Sequence, residues 1–159
     1  MRYLPLVSDR TDPAAWAGCR DFDVSWTGTP HPAWAGRGLV HAIHFPATPW
    51  TLDLVEQAVR ALGARLQPDF LLFRAHRPEG RQATAHFFQA LQALLEATHG
   101  RGVKLALRLA PGAAESLAAL LKEMRGEAVG YCWDEALGEG LEALSDRLFC
   151  AVGRPGADL

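Results

Sequence analysis

The sequence predicts an α/β fold: a parallel β/α barrel of about seven strands whose eighth βα unit is missing. Three observations predict it. From residue 39 onward, strand-like and helix-like segments alternate strictly. The strand-like segments are near-continuous apolar runs, as in parallel sheets covered by helices on both faces. Within two of those runs, alternation gathers small and polar residues on one side, which suits a crowded barrel interior.

Length and charge narrow the choice. A chain of 159 residues favours one domain with a single sizeable core. The formal net charge of −2 supplies no basic field for nucleic acid or an anionic membrane, so neither is expected as a partner. No apolar stretch is long enough to span a bilayer, and MRYLPLVSDR lacks a signal-peptide pattern, so a cytoplasmic location is expected. The three cysteines, Cys19, Cys132 and Cys150, are widely spaced. Cys132 and Cys150 lie inside apolar runs and read as buried thiols in a reducing compartment. Neither a CxxC pair nor an HxxxH helix signature occurs, so nothing points to zinc.

In chain order, RYLPLVS is the first strand and DFDVSW, near 21–26, the second. The connections RTDPAAWAGC and TGTPHPAWAGRG are rich in Pro, Gly and Trp and hold at most a turn of helix. Trp16, Trp34 and Trp50 fall in loops, where a tryptophan plugs a core edge more often than it binds ligand. LVHAIHF (39–45) is the third strand; His41 and His44, three apart, are expected to face opposite sides and so not to chelate one ion.

The first full helix is TLDLVEQAVRALGARL, with Leu52, Val55, Val59 and Leu62 as its apolar stripe and Thr48 or Thr51 as its cap. After DFLLFRAH (69–76) comes ATAHFFQALQALLEATHG, which carries Phe87, Phe88, Leu91, Leu94 and Leu95 and stops at Gly100. His86 and His99 on that helix read as a solvated face. VKLALRLA (103–110) precedes a third helix, AAESLAALLKEMRG; EAVGYCW (127–133) and RLFCAVG (147–153) close the series.

An open doubly wound sheet would carry a glycine-rich phosphate loop after its first strand, but SDRTDPAA stands there. The barrel fits better. Alternation puts Gly130, Cys132 and Asp134 on one face of VGYCWD, and Lys104, Ala106 and Arg108 on one face of VKLALRLA. Leu105, Leu107 and Leu109 are then left to face the helices.

The ordered segments HFPATPWTLD, VEQAVRALGA, FLLFRAH, GVKLALRLAPG, AVGYCWDEAL and DRLFCAVG resemble the xylose-isomerase-like TIM barrels over residues 39 to 153. This superfamily holds sugar-phosphate isomerases and epimerases and type-2 AP endonucleases. The resemblance implies divalent metal at the carboxyl ends of the strands, held by carboxylates and histidines. Where the family's LALE strand ends in a metal-binding glutamate, this chain has Arg108, and a guanidinium cannot ligate a cation. The family's VG.C.D..H pattern keeps Asp134 but finds Leu137 in the histidine position. Its vHvkD strand finds Val152 and Pro155, and its HaP motif keeps His44. The fourth-strand histidine corresponds to Arg74 or His76, and the eighth-strand glutamate has no counterpart.

The resemblance therefore implies a sugar-phosphate isomerase/epimerase-like protein that has lost metal-dependent catalysis, with no metal and no cofactor. Its mouth is expected to hold a small anionic or phosphorylated ligand through His44, Arg74 and Arg108, with Asp134 and His76 as candidate catalytic groups. Blander roles stand beside these. Asp134 could cap the helix EALGEGLEALSD or pair with Arg108, and His44 could be a satisfied, half-buried histidine. Two alternatives remain at this level: a non-catalytic scaffold or partner-binding protein, and a metal-free isomerase using His76 or Asp134 as base. A full barrel takes about 250 residues, so truncation soon after Leu159 is expected, and with it an exposed sheet edge that a homodimer would cover.

Overall fold

The computed structural model describes residues 4–16, 23–36, 40–46, 49–64, 66–110, 113, 115, 118–119, 122, 128–134 and 147–152. Seven parallel strands run in sequential order: β1 (Leu6–Ser8), β2 (Asp23–Ser25), β3 (Val40–His44), β4 (Pro68–Ala75), β5 (Lys104–Leu109), β6 (Val129–Asp134) and β7 (Leu148–Val152). Helix α1 (Leu52–Gly63) crosses from β3 to β4, and α2 (Gly80–Thr98) from β4 to β5. Within the third predicted helix, Glu115, Ala118, Ala119 and Lys122 are helical, and the rest lies outside the described residues. The connections on either side of β2 each hold one short 3-10 turn, Pro13–Trp16 and Pro32–Gly36. Among the described residues no pairing joins β1 to β7, so the sheet curves without closing. Its two outer strands expose Leu6 and Leu148.

The larger core lies between the sheet and its helices. Val24, Ile43, Leu71, Phe73, Leu105 and Leu107 point outward from the strands into it. A run of rings ties β2 to α2: Trp26 meets Phe45, Phe45 stacks on Phe73 at 4.7 Å, and Trp50 bridges Phe73 to Phe87. Trp34 and Trp50 are buried, as expected of core plugs, while the side chain of Trp16 lies outside the described residues.

Helix α1 differs from expectation. It buries Leu54, Ala58 and Ala61, flanked by the partly buried Val55 and Leu62, whereas Leu52 and Val59 are 69% and 50% exposed. Small alanines at the contact let the helix lie close to the sheet, which turns the predicted stripe partly into solvent. Thr51 occupies the N-cap but makes no side-chain cap hydrogen bond, and Asp53 in the first turn meets the positive helix end instead. Thr48 lies outside the described residues. Helix α2 follows the sequence reading more closely, burying Phe87, Leu91 and Leu94 and stopping before Gly100, whose φ of 72° suits a residue without Cβ.

The inner face holds a second, smaller cluster of Ala42, Leu72, Ala106 and Cys132, against which Phe70, Phe149 and Cys150 pack. Lys104 lies over the Phe149 ring, so the expected inward set of β5 and β6 is observed. The register between β6 and β7 slips after Tyr131, which pairs with Leu148 while Cys132 pairs with Cys150. Phe149 is the extra residue of this bulge. Its ring fills the space over Gly130, where an added Cβ would stand 2.7 Å from it. At the other edge, the buried Asp9 just past β1 accepts hydrogen bonds from the Thr27 amide and hydroxyl, binding the ends of β1 and β2 together.

Candidate functional site at the barrel mouth

The carboxyl ends of β3 to β6 bring four of the sequence-predicted residues together. Arg108 pairs in register with Cys132, so Asp134 stands one inward position further up β6. Arg108 donates to Oδ2 of Asp134 from Nε at 2.8 Å and from Nη2 at 2.6 Å. Both N–H groups converge on one carboxylate oxygen. The expected ion pair is therefore present, with Asp134 nearly buried and Arg108 about one-third exposed (9% and 32%). The other structural reading of Asp134, a cap for the following helix, concerns residues 135–146 outside the described residues.

Arg74 is the register partner of Arg108 on β4. Two like charges side by side on neighbouring strands are unfavourable unless each finds an anion. Arg108 has Asp134. The exposed Arg74 has no hydrogen bond or ion pair among the described residues, although its carbonyl is anchored by the Trp50 indole N–H at 3.2 Å. Leu6, Ser25, His44, Arg74 and Arg108 line a cleft of ≈ 190 Å³ at this end of the sheet.

His44 reaches this cleft from β3, yet its Nε2 is engaged by Oδ2 of Asp23 at 2.8 Å. His41 holds the other oxygen, Nδ1 to Oδ1 at 3.0 Å. Two histidines three apart thus meet one carboxylate, which corrects the expectation that they face opposite sides. Val40 and Ile43 pack into the helix-side core, whereas Ala42 belongs to the inner cluster and His41 sets its ring edge against Phe70 beside that cluster. Strict alternation therefore breaks between His41 and Ala42, and Asp23, the register partner of Ala42, receives both rings. Burial alone would push the Asp23 carboxyl up, but the hydrogen bonds from His41 and His44 outweigh it and hold it below its ordinary range. The same bond to Asp23 raises His41 above the ordinary histidine value, against the opposing effect of its partial burial.

Sequence reasoning missed Asp23 and His41 as partners. The available signal was an acid within a short predicted strand, beside two histidines on the next.

His76 does not join the mouth. It lines a separate cleft of ≈ 480 Å³ with Trp50, Arg77, His86 and Phe87, outside the strand ends and against the start of α2. His86, expected on a solvated face, is exposed there, as is His99. Of the two candidate catalytic groups, His76 lines this second cleft while Asp134 is held by Arg108 at the strand ends, and no described contact links them.

The residues at the mouth do not fit a divalent metal. Asp134 gives Oδ2 to the Arg108 guanidinium, and His41 and His44 each give a ring nitrogen to the Asp23 carboxylate. No group of three or more His, Cys, Asp or Glu among the described residues is arranged to hold a metal ion. No helix among them is long and apolar enough to cross a membrane.

No protein-family model and no curated protein matches the chain. Among solved structures, it is similar to the xylose isomerase domain protein from Planctomyces limnophilus, with a TM-score of 0.70 and 12% identity over 94% of this chain and 72% of that one. With seven sequential parallel strands, inward-facing small residues and an unclosed seam, the chain has the fold of a xylose-isomerase-like TIM barrel in incomplete form.

Proposed function

We propose that the chain is a sugar-phosphate isomerase/epimerase-like barrel that has given up metal-dependent catalysis and binds a small anion at its mouth. The observation that carries this reading is the register pairing of Arg74 with Arg108, of which, among the described residues, only Arg108 has a carboxylate partner. A phosphate or carboxylate beside Arg74 would relieve that repulsion and accept paired N–H bonds from the guanidinium. His44 and Ser25 supply further polar atoms around the same cleft. At ≈ 190 Å³ the cleft falls below the usual range for whole small-molecule sites, so the phosphoryl or carboxylate end of a ligand is what it accommodates.

Calorimetric titration with inorganic phosphate and with a short-chain sugar phosphate tests the reading, alongside metal analysis after incubation with Mn²⁺ or Zn²⁺. Binding of the phosphates without stoichiometric metal supports it. A tightly held metal coordinated by Asp134, or indifference to both phosphates, overturns it.

A second reading, a non-catalytic scaffold that binds a partner protein, is favoured by one observation. Leu52 and Val59, seven apart on the outer face of α1, form an exposed apolar strip. Phosphate binding weakened by Arg74→Ala but unaffected by Leu52→Glu separates the two.

A further inference from the structure

Cys132 and Cys150 are the described cysteines, and neither is used by the mouth. They are register partners on β6 and β7, and both belong to the inner face of the sheet. Neighbouring strands lie about 4.8 Å apart, inside the Cα separations that a disulfide spans. The bulge at Phe149 brings this alignment about, since without the extra residue Cys150 would turn to the helix side. A run of ring contacts leads from His41 on β3 to the residue beside Cys150. Around the interior, His41 packs on Phe70 and Phe70 on Phe149, the neighbour of Cys150. Cys132 is fully buried and Cys150 half-buried. We propose that Cys132 and Cys150 form an oxidation-sensitive dithiol, with Cys150 the sulfur oxidised first by peroxide and Cys132 the sulfur that resolves it.

The interaction between the two register-paired thiols favours the anion on Cys150, while the same interaction and burial disfavour it on Cys132. His41 adds positive potential at Cys150, and Asp23 opposes it. A thiolate at Cys150 attacks one oxygen of hydrogen peroxide. The O–O bond breaks, leaving a sulfenic acid on Cys150 and a hydroxide that takes up a proton from solvent. The Cys132 sulfur then attacks the Cys150 sulfur, the S–O bond breaks, and the departing hydroxide leaves as water with the Cys132 proton. Two thiols are oxidised to one disulfide and one peroxide is reduced to two waters. The product would fasten β7 to β6 one inward position below Asp134.

Native wild-type protein treated with a small excess of hydrogen peroxide, alkylated in denaturant and mapped by peptide mass spectrometry tests this. The expected result is a Cys132–Cys150 linked peptide with Cys19 still alkylated. In Cys132→Ser, which needs no disulfide to fold, a dimedone adduct is expected on Cys150. In His41→Gln the adduct should form several-fold more slowly, because less of Cys150 is then thiolate. Thiols that stay alkylatable in the native protein and link only after denaturation would overturn the proposal. So would a link through Cys19, or first labelling at Cys132.

Discussion

Two inward-facing carboxylates organise this barrel, and they are neutralised in different ways. Asp134, on β6, is held by the Arg108 guanidinium. Asp23, on β2, sits between two imidazoles, one of which ionises more readily because of it. The first arrangement is a fixed ion pair and the second titrates. Their settings differ as well. Each carboxylate stands one strand from an edge of the sheet, but Asp134 is 9% exposed, with Cys132 one inward position below it, whereas Asp23 is 17% exposed. Removal of a partner should therefore cost more at Asp134, and pH should matter more at Asp23.

The largest effect is expected from Arg108→Ala. It strips a nearly buried carboxylate of its guanidinium, which costs about 3 kcal/mol in urea unfolding, the lower end for breaking a buried pair. Replacing both partners, as Arg108→Met with Asp134→Leu, should return stability to near that of the wild type. If the single and double variants unfold at the same urea concentration, the pair is not what holds this end of β6.

Gly130→Ala comes next. The new methyl would meet the Arg147 carbonyl oxygen at 2.5 Å and the Phe149 ring at 2.7 Å, and backbone cannot give way as a side chain does. Overpacking of this kind costs about 2 kcal/mol. Adding Phe149→Leu should recover only part of it, since the carbonyl contact remains. Full recovery would show that the ring alone sets the constraint.

Asp23→Asn should cost less and show a pH signature. The carboxyl is held below its ordinary value of 3.8, so its contribution is present above that pH and lost as pH falls through the lower folded value. His41 is raised above 6.5, so its contribution is complete below that pH and lost as pH rises through the higher folded value. The two overlap between about pH 4 and 6.5. Because His41 is 35% exposed, solvent weakens the pair, and a loss of about 1 kcal/mol at pH 5 is expected, shrinking toward pH 8. Unfolding free energies across that range check it. A loss that is constant with pH would show that the histidines serve only as neutral hydrogen-bond partners.

The same contrast explains what could be read from the sequence. The Arg108–Asp134 pair was legible because KLALRL and VGYCWD alternate cleanly, and alternation fixes the inward set where strands pair in regular register. The Asp23 network was not, since β3 breaks alternation between His41 and Ala42 and a period of two carries no sign of such a break. Cys150 was misjudged only in part. Its burial followed from the apolar run, but its pairing with Cys132 depends on a bulge that no turn residue announces. On α1, the large apolar residues drew attention to Leu52 and Val59, while alanines made the actual contact. His76 was placed at the mouth because sequence offset gives only distance along the chain, and one residue past the end of β4 it lines the cleft beside α2 instead.

The smallest effect on stability, and the one that bears most on function, is expected from Arg74→Ala. Arg74 is exposed and has no ion-pair partner among the described residues, so its removal should change unfolding free energy by no more than about 0.5 kcal/mol. A slight gain is the expected sign, because the substitution also removes a like charge from beside Arg108. Phosphate affinity should fall about tenfold, as for the loss of one charge-assisted pair of hydrogen bonds. Arg74→Lys keeps the charge but not the planar fork and should recover only part of that loss. Measuring affinity and stability on the same preparations separates a ligand group from a structural one. A variant that binds phosphate as the wild type does, yet unfolds earlier, would move Arg74 out of the mouth and leave the Arg108–Asp134 pair there as structure alone.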